Sequence, residues 1–344
     1  MSLVFMDSFD HYSSANLGQK WDVLSVTGGT NIDTSGGRRG TQSFIANINP
    51  TRIGKIVCGL SCYIVGFAYK QDAGLTTTRS ILNFNDGTIS HLDLAVSTDD
   101  TLYIRRSGTT VLSSYSLPIA MGTYYYIEMK AEISNSISAG GVEVKLNGVS
   151  IMTLAAGVDT QNAGSAEINR IHIGTNGVTS DSEFFDDLYI IDTKGAEASN
   201  FLGDVRIDAL RISATGTVSN WSPSSAGATL VSMISDTAPN SNVNYMFASA
   251  ASAAARWTHS ALVSANGSIY GVQLNLNVAK SDSTSAKSVA GLFFSGSVSG
   301  VGSTTLVGNT SYTYVTLITS ADASGVSWSS NTITNTEFGI KIVA

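Results

Sequence analysis

Two glutamates, Glu128 and Glu132, have the residue type and spacing that could do chemistry in this 344-residue chain. They lie in a segment, residues 124–133, that alternates polar and apolar residues. Glycoside hydrolysis uses two carboxyl groups, one of which needs a raised pKa to donate a proton. Lys130 stands between the two glutamates, and its positive charge would keep both ionised. We therefore expect these side chains to lie on a solvated outer face rather than in an active site.

Asp186 and Asp187 form a second carboxylate pair, within the aromatic and β-branched segment 183–192. Calcium takes six to eight oxygen ligands, and this pair could supply some of them, as could Asp99 and Asp100. The chain has no Asp-x-Asp-x-Asp-Gly loop, and acidic residues in turns are common for capping reasons alone. We expect no obligatory cofactor, with Asp186 and Asp187 as the calcium candidates.

Other catalytic arrangements are absent from the sequence. The four histidines show no two-ligand spacing, and His91 and His172, which alternate with apolar residues, could face solvent. No Gly-x-Ser-x-Gly segment is present. The glycine-rich stretch 36–40 lacks the ending of a phosphate loop and predicts a turn with Arg38 and Arg39 exposed. We therefore expect that the chain is not an enzyme.

The two cysteines, Cys58 and Cys62, are four residues apart. On one strand they would be about 13 Å apart, which is too far for a disulfide. We expect both to be small buried hydrophobic residues.

The charge is small and unevenly distributed. Only 13% of residues are charged and the net charge is -7, which does not favour nucleic acid as a partner. Residues 1–200 hold 13 Lys/Arg and 20 Asp/Glu, whereas residues 201–344 hold 6 and 6. A soluble domain usually keeps a charged surface, so the plain C-terminal part predicts contact with other subunits, most simply in a homo-oligomer.

The sequence also carries expectations about membranes and targeting. It has no run of about 18 apolar residues, so no membrane span is expected. The N-terminus lacks the basic, apolar and small-residue order of a signal peptide, and we expect synthesis in a cytoplasm.

Period-two alternation dominates the chain and predicts β-strands. Asn147-Gly148 lies between the apolar runs 141–146 and 149–154, which is the strongest short hairpin signal. Strands at this spacing predict a sandwich or jelly roll. In the C-terminal part the predicted strands are 205–212, 230–234, 269–278, 289–294, 311–317 and 338–343. The Ala/Ser-rich segment 245–257 favours a short helix or an irregular segment, with a strand packed tightly on a neighbour as the open alternative.

Three blocks carry a resemblance to known proteins: the opening 6–12, the acidic segment 183–192 and "FLGDVRI" at 201–207. The acidic segment looks like the closing strand of a concanavalin A-like jelly roll, and "FLGDVRI" looks like the start of a second β unit. This order resembles two-domain structural proteins of tailed bacteriophages, found on tails, fibres and capsid surfaces. The resemblance also implies calcium near a loop edge, where jelly-roll lectins often hold it.

The expected fold is therefore all-β, with two β-sandwich (jelly-roll) domains. Residues 1–198 would form the concanavalin A-like domain, and residues 199–344 a second β-sandwich for oligomerisation or attachment. We expect a non-enzymatic virion structural protein, a tail or fibre component or a capsid decoration, made in the host cytoplasm. Its partners would be its own copies and other virion proteins. The open alternative is an adhesin that binds a host surface glycan through the N-terminal jelly roll; an enzyme ranks third.

Overall fold

The computed structural model describes residues 2–26, 31–47, 50–116, 119–136, 139–155, 157–175, 181–264, 266–284, 286–295 and 297–343. The chain is nearly all β, as predicted. It forms two compact units: residues 2–10 with 21–207, the N-terminal unit, and residues 11–20 with 208–344, the C-terminal unit. The predicted domain boundary between residues 198 and 199 stays a prediction.

The N-terminal unit is a sandwich of two antiparallel sheets. Its strands are β1 (Leu3–Asp7), β2 (Val23–Val26), β3 (Ile32–Asp33), β4 (Ser43–Ala46), β5 (Thr51–Leu60), β6 (Cys62–Gln71), β7 (Arg79–Asn85), β8 (Ser90–Val96), β9 (Thr101–Arg106), β10 (Thr110–Ser116), β11 (Tyr125–Glu132), β12 (Gly141–Leu146), β13 (Val149–Leu154), β14 (Ile168–Thr175) and β15 (Glu183–Ile191). The first sheet has the strand order β13-β12-β11-β6-β15-β4-β3, with β1 also paired to β15. The second sheet has the strand order β10-β9-β8-β7-β14-β5-β2.

Alternation along each strand places one set of side chains in the core between the sheets. Phe67 and Phe185 from the first sheet and Leu82 and Ile104 from the second are all fully buried. The predicted hairpin is confirmed, because Asn147 and Gly148 join β12 to β13 with φ angles of 47° and 80°. Those angles suit the residues that tolerate a left-handed backbone.

The cysteines differ from expectation. Cys58 lies on β5 and is exposed, whereas Cys62 begins β6 and is half-buried. The chain turns between them, so they do not share the single strand that the sequence pattern suggested.

The C-terminal unit contains a five-stranded antiparallel sheet of order β16-β19-β24-β21-β22, together with the pairs β17-β18 and β20-β23. Its core includes Trp257, Val289 and Ile340. Its strands are β16 (Ile212–Ser219), β17 (Ser222–Pro223), β18 (Met246–Phe247), β19 (Ala254–His259), β20 (Val272–Val278), β21 (Lys287–Ser295), β22 (Val298–Val307), β23 (Thr313–Thr319) and β24 (Thr336–Ile342), and its α-helices are α1 (Leu17–Lys20), α2 (Leu230–Ile234) and α3 (Ser330–Thr334).

Two segments of this unit differ from the favoured prediction. Residues 230–234 form the helix α2 rather than a strand, because the Thr229 hydroxyl accepts from the N–H of Ser232 and caps the helix. The segment 245–257 has no helix: it forms β18, an irregular stretch at 248–253 and then β19 from Ala254, which is the tightly packed strand that was the open alternative. At β19, a Cβ on Gly339 of β24 would stand 2.0 Å from the Ala255 carbonyl oxygen, so tight strand packing outweighs the helix preference of alanine.

None of the helices in the described part of the chain is long and apolar enough to cross a membrane.

Candidate functional site

The outer face of the first sheet is buried where a wet surface was expected. Glu128 points away from the core, since its neighbours Ile127 and Met129 fill the core, yet it is 0% exposed. Its Oε1 accepts from the Tyr189 hydroxyl and, at 2.9 Å, from the N–H of Gly203. The prediction of a solvated Glu128 is therefore wrong: a chain segment covers it.

The covering segment is 201–207, which we call the strap. Its main-chain N–H groups are bound by side chains of the sheet: Leu202 donates to the Tyr189 hydroxyl at 3.2 Å and Ile207 donates to Asp187 Oδ1 at 2.7 Å. Lys145 Nζ lies 4.2 Å from the centre of the Phe201 ring. The prediction that "FLGDVRI" starts a second β unit is thus wrong, because buried acceptors hold it on the first sheet and the next strand begins at Ile212.

A glycine makes room for Tyr189 on this face. Gly66 of β6 lies directly opposite Tyr189 of β15. A Cβ at Gly66 would stand 2.3 Å from the tyrosine ring, so the ring lies over β6 only because residue 66 has no side chain.

Asp186 and Asp187 lie at a β-bulge, where the β15–β6 register shifts. Asp187 has a φ of 47°, a left-handed conformation that aspartate tolerates better than most residues. The N–H of Asp187 donates to Asp186 Oδ1 at 2.7 Å, and the N–H of Arg38 donates to Asp186 Oδ2 at 2.8 Å. The bulge places both carboxylates side by side and nearly buried.

Two arginines compensate this acidic pair. Arg38 Nη1 lies 3.5 Å from Asp187 Oδ2 and 2.5 Å from Asp204 Oδ1, and Arg39 also pairs with Asp187. The predicted turn is confirmed and Arg39 is exposed, but the Arg38 side chain is only 14% exposed. Neither arginine has a sequence signal that links it to residues almost 150 positions away.

The electrostatics of the pair follow from burial. Burial and the charge of Asp187 raise the pKa of Asp186 to about 8. Burial also raises the pKa of Asp187, opposed by the Ile207 N–H and Arg39. The groups around these carboxylates are protein donors, and the described residues contain no group of three or more His, Cys, Asp or Glu side chains able to hold a metal ion. Calcium at Asp186 and Asp187 stays a prediction.

The outer face of the second sheet is polar and carries a row of aligned side chains. His172 on β14 lies opposite Asn83 on β7, which lies opposite Asp93 on β8, which lies opposite Arg105 on β9. Alternation places further residues on the same side, since their strand neighbours fill the core. We call this set the polar face: Arg52, Asn83, Asp93, Tyr103, Arg105, Arg170 and His172.

His172 is buried, although its alternation with apolar residues suggested solvent. It is 6% exposed and lies over Gly54 of β5, where a Cβ would stand 2.3 Å from its ring. Burial, and then the charges of Arg52 and Arg170, lower the pKa of His172 to about 4. The imidazole is therefore neutral at pH 7.

Asp93 and Arg105 form a cross-strand ion pair on the polar face. Both Nε and Nη2 of Arg105 donate to Asp93 Oδ2. Burial raises the pKa of Asp93, and the hydrogen bond from Arg105 opposes that rise. The charge of Arg105 is thus compensated within the sheet.

The C-terminal unit presents an uncharged sheet edge. Strand β22 ends the five-stranded sheet and, among the described strands, is paired only with β21. Its ten residues contain no charge and no proline, and Val301 and Leu306 are 56% and 66% exposed. Monomeric proteins usually protect such an edge with charge, proline or a covering segment.

Comparison with known proteins gives similarity of fold alone. No protein-family model matches the chain. No curated protein matches it either. Among solved structures it is similar to alginate lyase Aly36B at 14% identity (53% of this chain, 91% of that chain, TM-score 0.40). It is also similar to the cellulose induced protein Cip1 at 18% identity (59% and 100%, TM-score 0.41). A third is alginate lyase AlgAT5 of polysaccharide lyase family 7 at 9% identity (49% and 82%, TM-score 0.33).

These similarities correct one expectation. The prediction that the chain is not an enzyme is contradicted, because two of the similar structures are lyases. The sandwich fold, as predicted, is what the chain shares with all three.

Proposed function

We propose that the chain is a structural component of a tailed-phage virion that assembles through its C-terminal unit. The observation that carries the proposal is the uncharged edge strand β22 (Val298–Val307), with Val301 and Leu306 exposed. An exposed sheet edge offers a row of main-chain donors and acceptors to a strand of another chain. Its occupant is a second copy of this chain or a neighbouring virion protein.

Charge and exposure in the C-terminal unit support assembly. The C-terminal unit, residues 11–20 with 208–344, carries 6 basic and 5 acidic residues, so copies would approach with little repulsion. Further apolar side chains of this unit are exposed, including Val243 and Val263. The proposed location on a virion rests on the short resemblance to phage proteins described above.

The full-length chain tests assembly by light scattering after size exclusion, over a range of concentrations. We expect an oligomer for the wild type and a lower mass for Leu306→Lys, because a charge on the edge opposes strand pairing. Val149→Lys, at an equally exposed valine of the N-terminal unit, is the matched control and should leave the mass unchanged. A wild type that is monomeric throughout contradicts assembly through copies of itself.

The location of the chain on the phage particle needs a separate measurement. Labelled antibodies against the chain, imaged on intact particles, should decorate a head or a tail. Particles that bind no antibody contradict the virion proposal and leave self-assembly in place.

The polar face favours a second candidate, which is binding of a host surface glycan by the N-terminal unit. Sugars are recognised by planar amide, carboxylate and guanidinium groups with an aromatic ring nearby. Asn83, Asp93 and Arg105 form such a row, and Tyr103 lies next to Arg105 on the same side. A glycan array with and without calcium tests this candidate: full-length chain that binds no glycan in either condition contradicts it.

A further inference from the structure

The polar face contains two arginines that lack a carboxylate. Arg105 is paired with Asp93, whereas Arg52 on β5 and Arg170 on β14 make no ion pair within the described part of the chain. Both act on His172 electrostatically, and no carboxylate of the described residues is among the charges that shift its pKa. The positive charge at this end of the face is therefore uncompensated.

The tautomer of His172 follows from its neighbours. The N–H of Gly87 donates to Asn85 Oδ1 at 3.0 Å, so the amide nitrogen of Asn85 is the atom that lies 2.8 Å from His172 Nδ1. That amide donates to Nδ1, and the proton of the neutral ring is then on Nε2. His172 Nε2 is thus a hydrogen-bond donor.

Two of these donors are buried without an acceptor. His172 Nε2 and Arg52 Nε both have no hydrogen-bond partner within the described residues. Buried donors normally find an acceptor, and leaving one unpaired is destabilising. The unpaired nitrogen atoms of Arg52 and His172 are donors, so the missing partner is an acceptor, and the charges of Arg52 and Arg170 make an anion the best one.

We infer that Arg52, Arg170 and His172 form a binding site for an anionic group of a surface glycan: a carboxylate, a sulfate or a phosphate. The inference rests on the second candidate function, glycan binding by the polar face, and names the chemical class of its ligand. Guanidinium groups bind such oxyanions through paired N–H donors. The neighbouring Asn83 would then contact hydroxyl groups of the same sugar.

The test uses the full-length chain and isothermal titration calorimetry. The probes are a uronate hexasaccharide, a sulfated and a phosphorylated hexasaccharide, and a neutral glucan hexasaccharide of equal length. We expect at least one acidic probe to bind and the neutral probe to bind at least about tenfold more weakly. The reason is that one charge-assisted hydrogen bond changes the affinity by about a factor of ten. Which acidic probe binds identifies the anion.

Variants locate the site. Arg52→Gln and Arg170→Gln should each weaken the acidic probe about tenfold. Lys194→Gln, which removes the same charge at an exposed position of the same unit, should leave the affinity unchanged. Circular dichroism confirms that each variant folds. Equal losses for all three variants overturn the inference, because diffuse charge would then explain binding.

The remaining outcomes separate the two proposals. Equal binding of neutral and acidic probes, unaffected by Arg52→Gln, overturns the anion site and leaves glycan binding in place. No binding of any probe, together with a silent glycan array, overturns both.

Discussion

Arg79 and Glu183 join the two sheets of the N-terminal unit through a buried ion pair. Nη1 of Arg79 on β7 lies 3.2 Å from Oε2 of Glu183 on β15, and both side chains are 0% exposed. Arg79 Nη2 also lies 2.6 Å from Asp181 Oδ2, and the Tyr69 hydroxyl donates to Glu183 Oε1 at 2.7 Å. Glu183 and Arg79 come from different sheets, so this network fixes how the sheets meet.

Arg79→Met should destabilise the chain by about 3–5 kcal/mol, because it leaves Glu183 buried without its counter-charge. Chemical denaturation followed by tryptophan fluorescence measures the loss. Arg106→Met is the control: Arg106 pairs with Asp159 at a half-exposed position and should cost less than about 1 kcal/mol. Equal effects of the two substitutions would show that burial does not matter here.

Asp186 should make stability depend on pH. Its pKa is raised from 3.8 to about 8 in the folded chain, so the folded state holds a proton that the unfolded state has already lost. The contribution of Asp186 to the free energy of unfolding is fully present below about pH 4 and is lost as the pH rises through about 8. The slope of this loss is at most about 1.4 kcal/mol per pH unit.

Asp186→Asn removes the carboxyl group that binds this proton and, with it, the repulsion between the charges of Asp186 and Asp187. The free energy of unfolding of the wild type minus that of the variant should fall between pH 4 and pH 8, the interval set by the two pKa values. His172 makes the free energy of unfolding rise with pH below about pH 6.5, because its pKa in the folded chain is about 4. This contribution is the same in the wild type and the variant, so it cancels in the difference. A difference that is flat with pH contradicts the raised pKa.

Tyr189→Phe should loosen the strap. The tyrosine hydroxyl donates to Glu128 and accepts from the Leu202 N–H, and its removal leaves both with fewer partners at a cost of about 1–3 kcal/mol. Hydrogen exchange of the Leu202 and Gly203 amides should accelerate. Tyr115→Phe, at an exposed tyrosine, is the control; unchanged exchange in Tyr189→Phe would show that this hydroxyl does not hold the strap.

Gly66→Ala should displace Tyr189 from the outer face of the first sheet. The added methyl would stand 2.3 Å from the tyrosine ring, and such overpacking costs about 1–3 kcal/mol. Gly141→Ala is the matched control in β12, where the nearest atom would be 3.4 Å away. Thermal unfolding compares the two, and an equally small shift of the midpoint for both would contradict the close approach at Gly66.

Local patterns in the sequence were sufficient for the strands and for some turns. The alternation in residues 124–133 predicted β11, and Asn147-Gly148 predicted the β12–β13 hairpin, because period-two burial and a left-handed turn are properties of neighbouring residues. The same reasoning failed at α2 and left 245–257 open. A threonine cap decided the first, and pairing with a distant strand decided the second.

The sequence by itself determined that this chain is built of β-strands with a sparsely charged C-terminal part. Only the tertiary structure decided which polar residues meet. Arg38 reaches Asp187 and Asp204, and Arg52 of β5 lies near His172 of β14, through contacts between segments far apart in the chain. The face that a strand buries is fixed by what later covers it: Glu128 alternates as a solvated residue would, yet residues 201–207 lie over it. Alternation records the two sides of a strand, not the partner on each side.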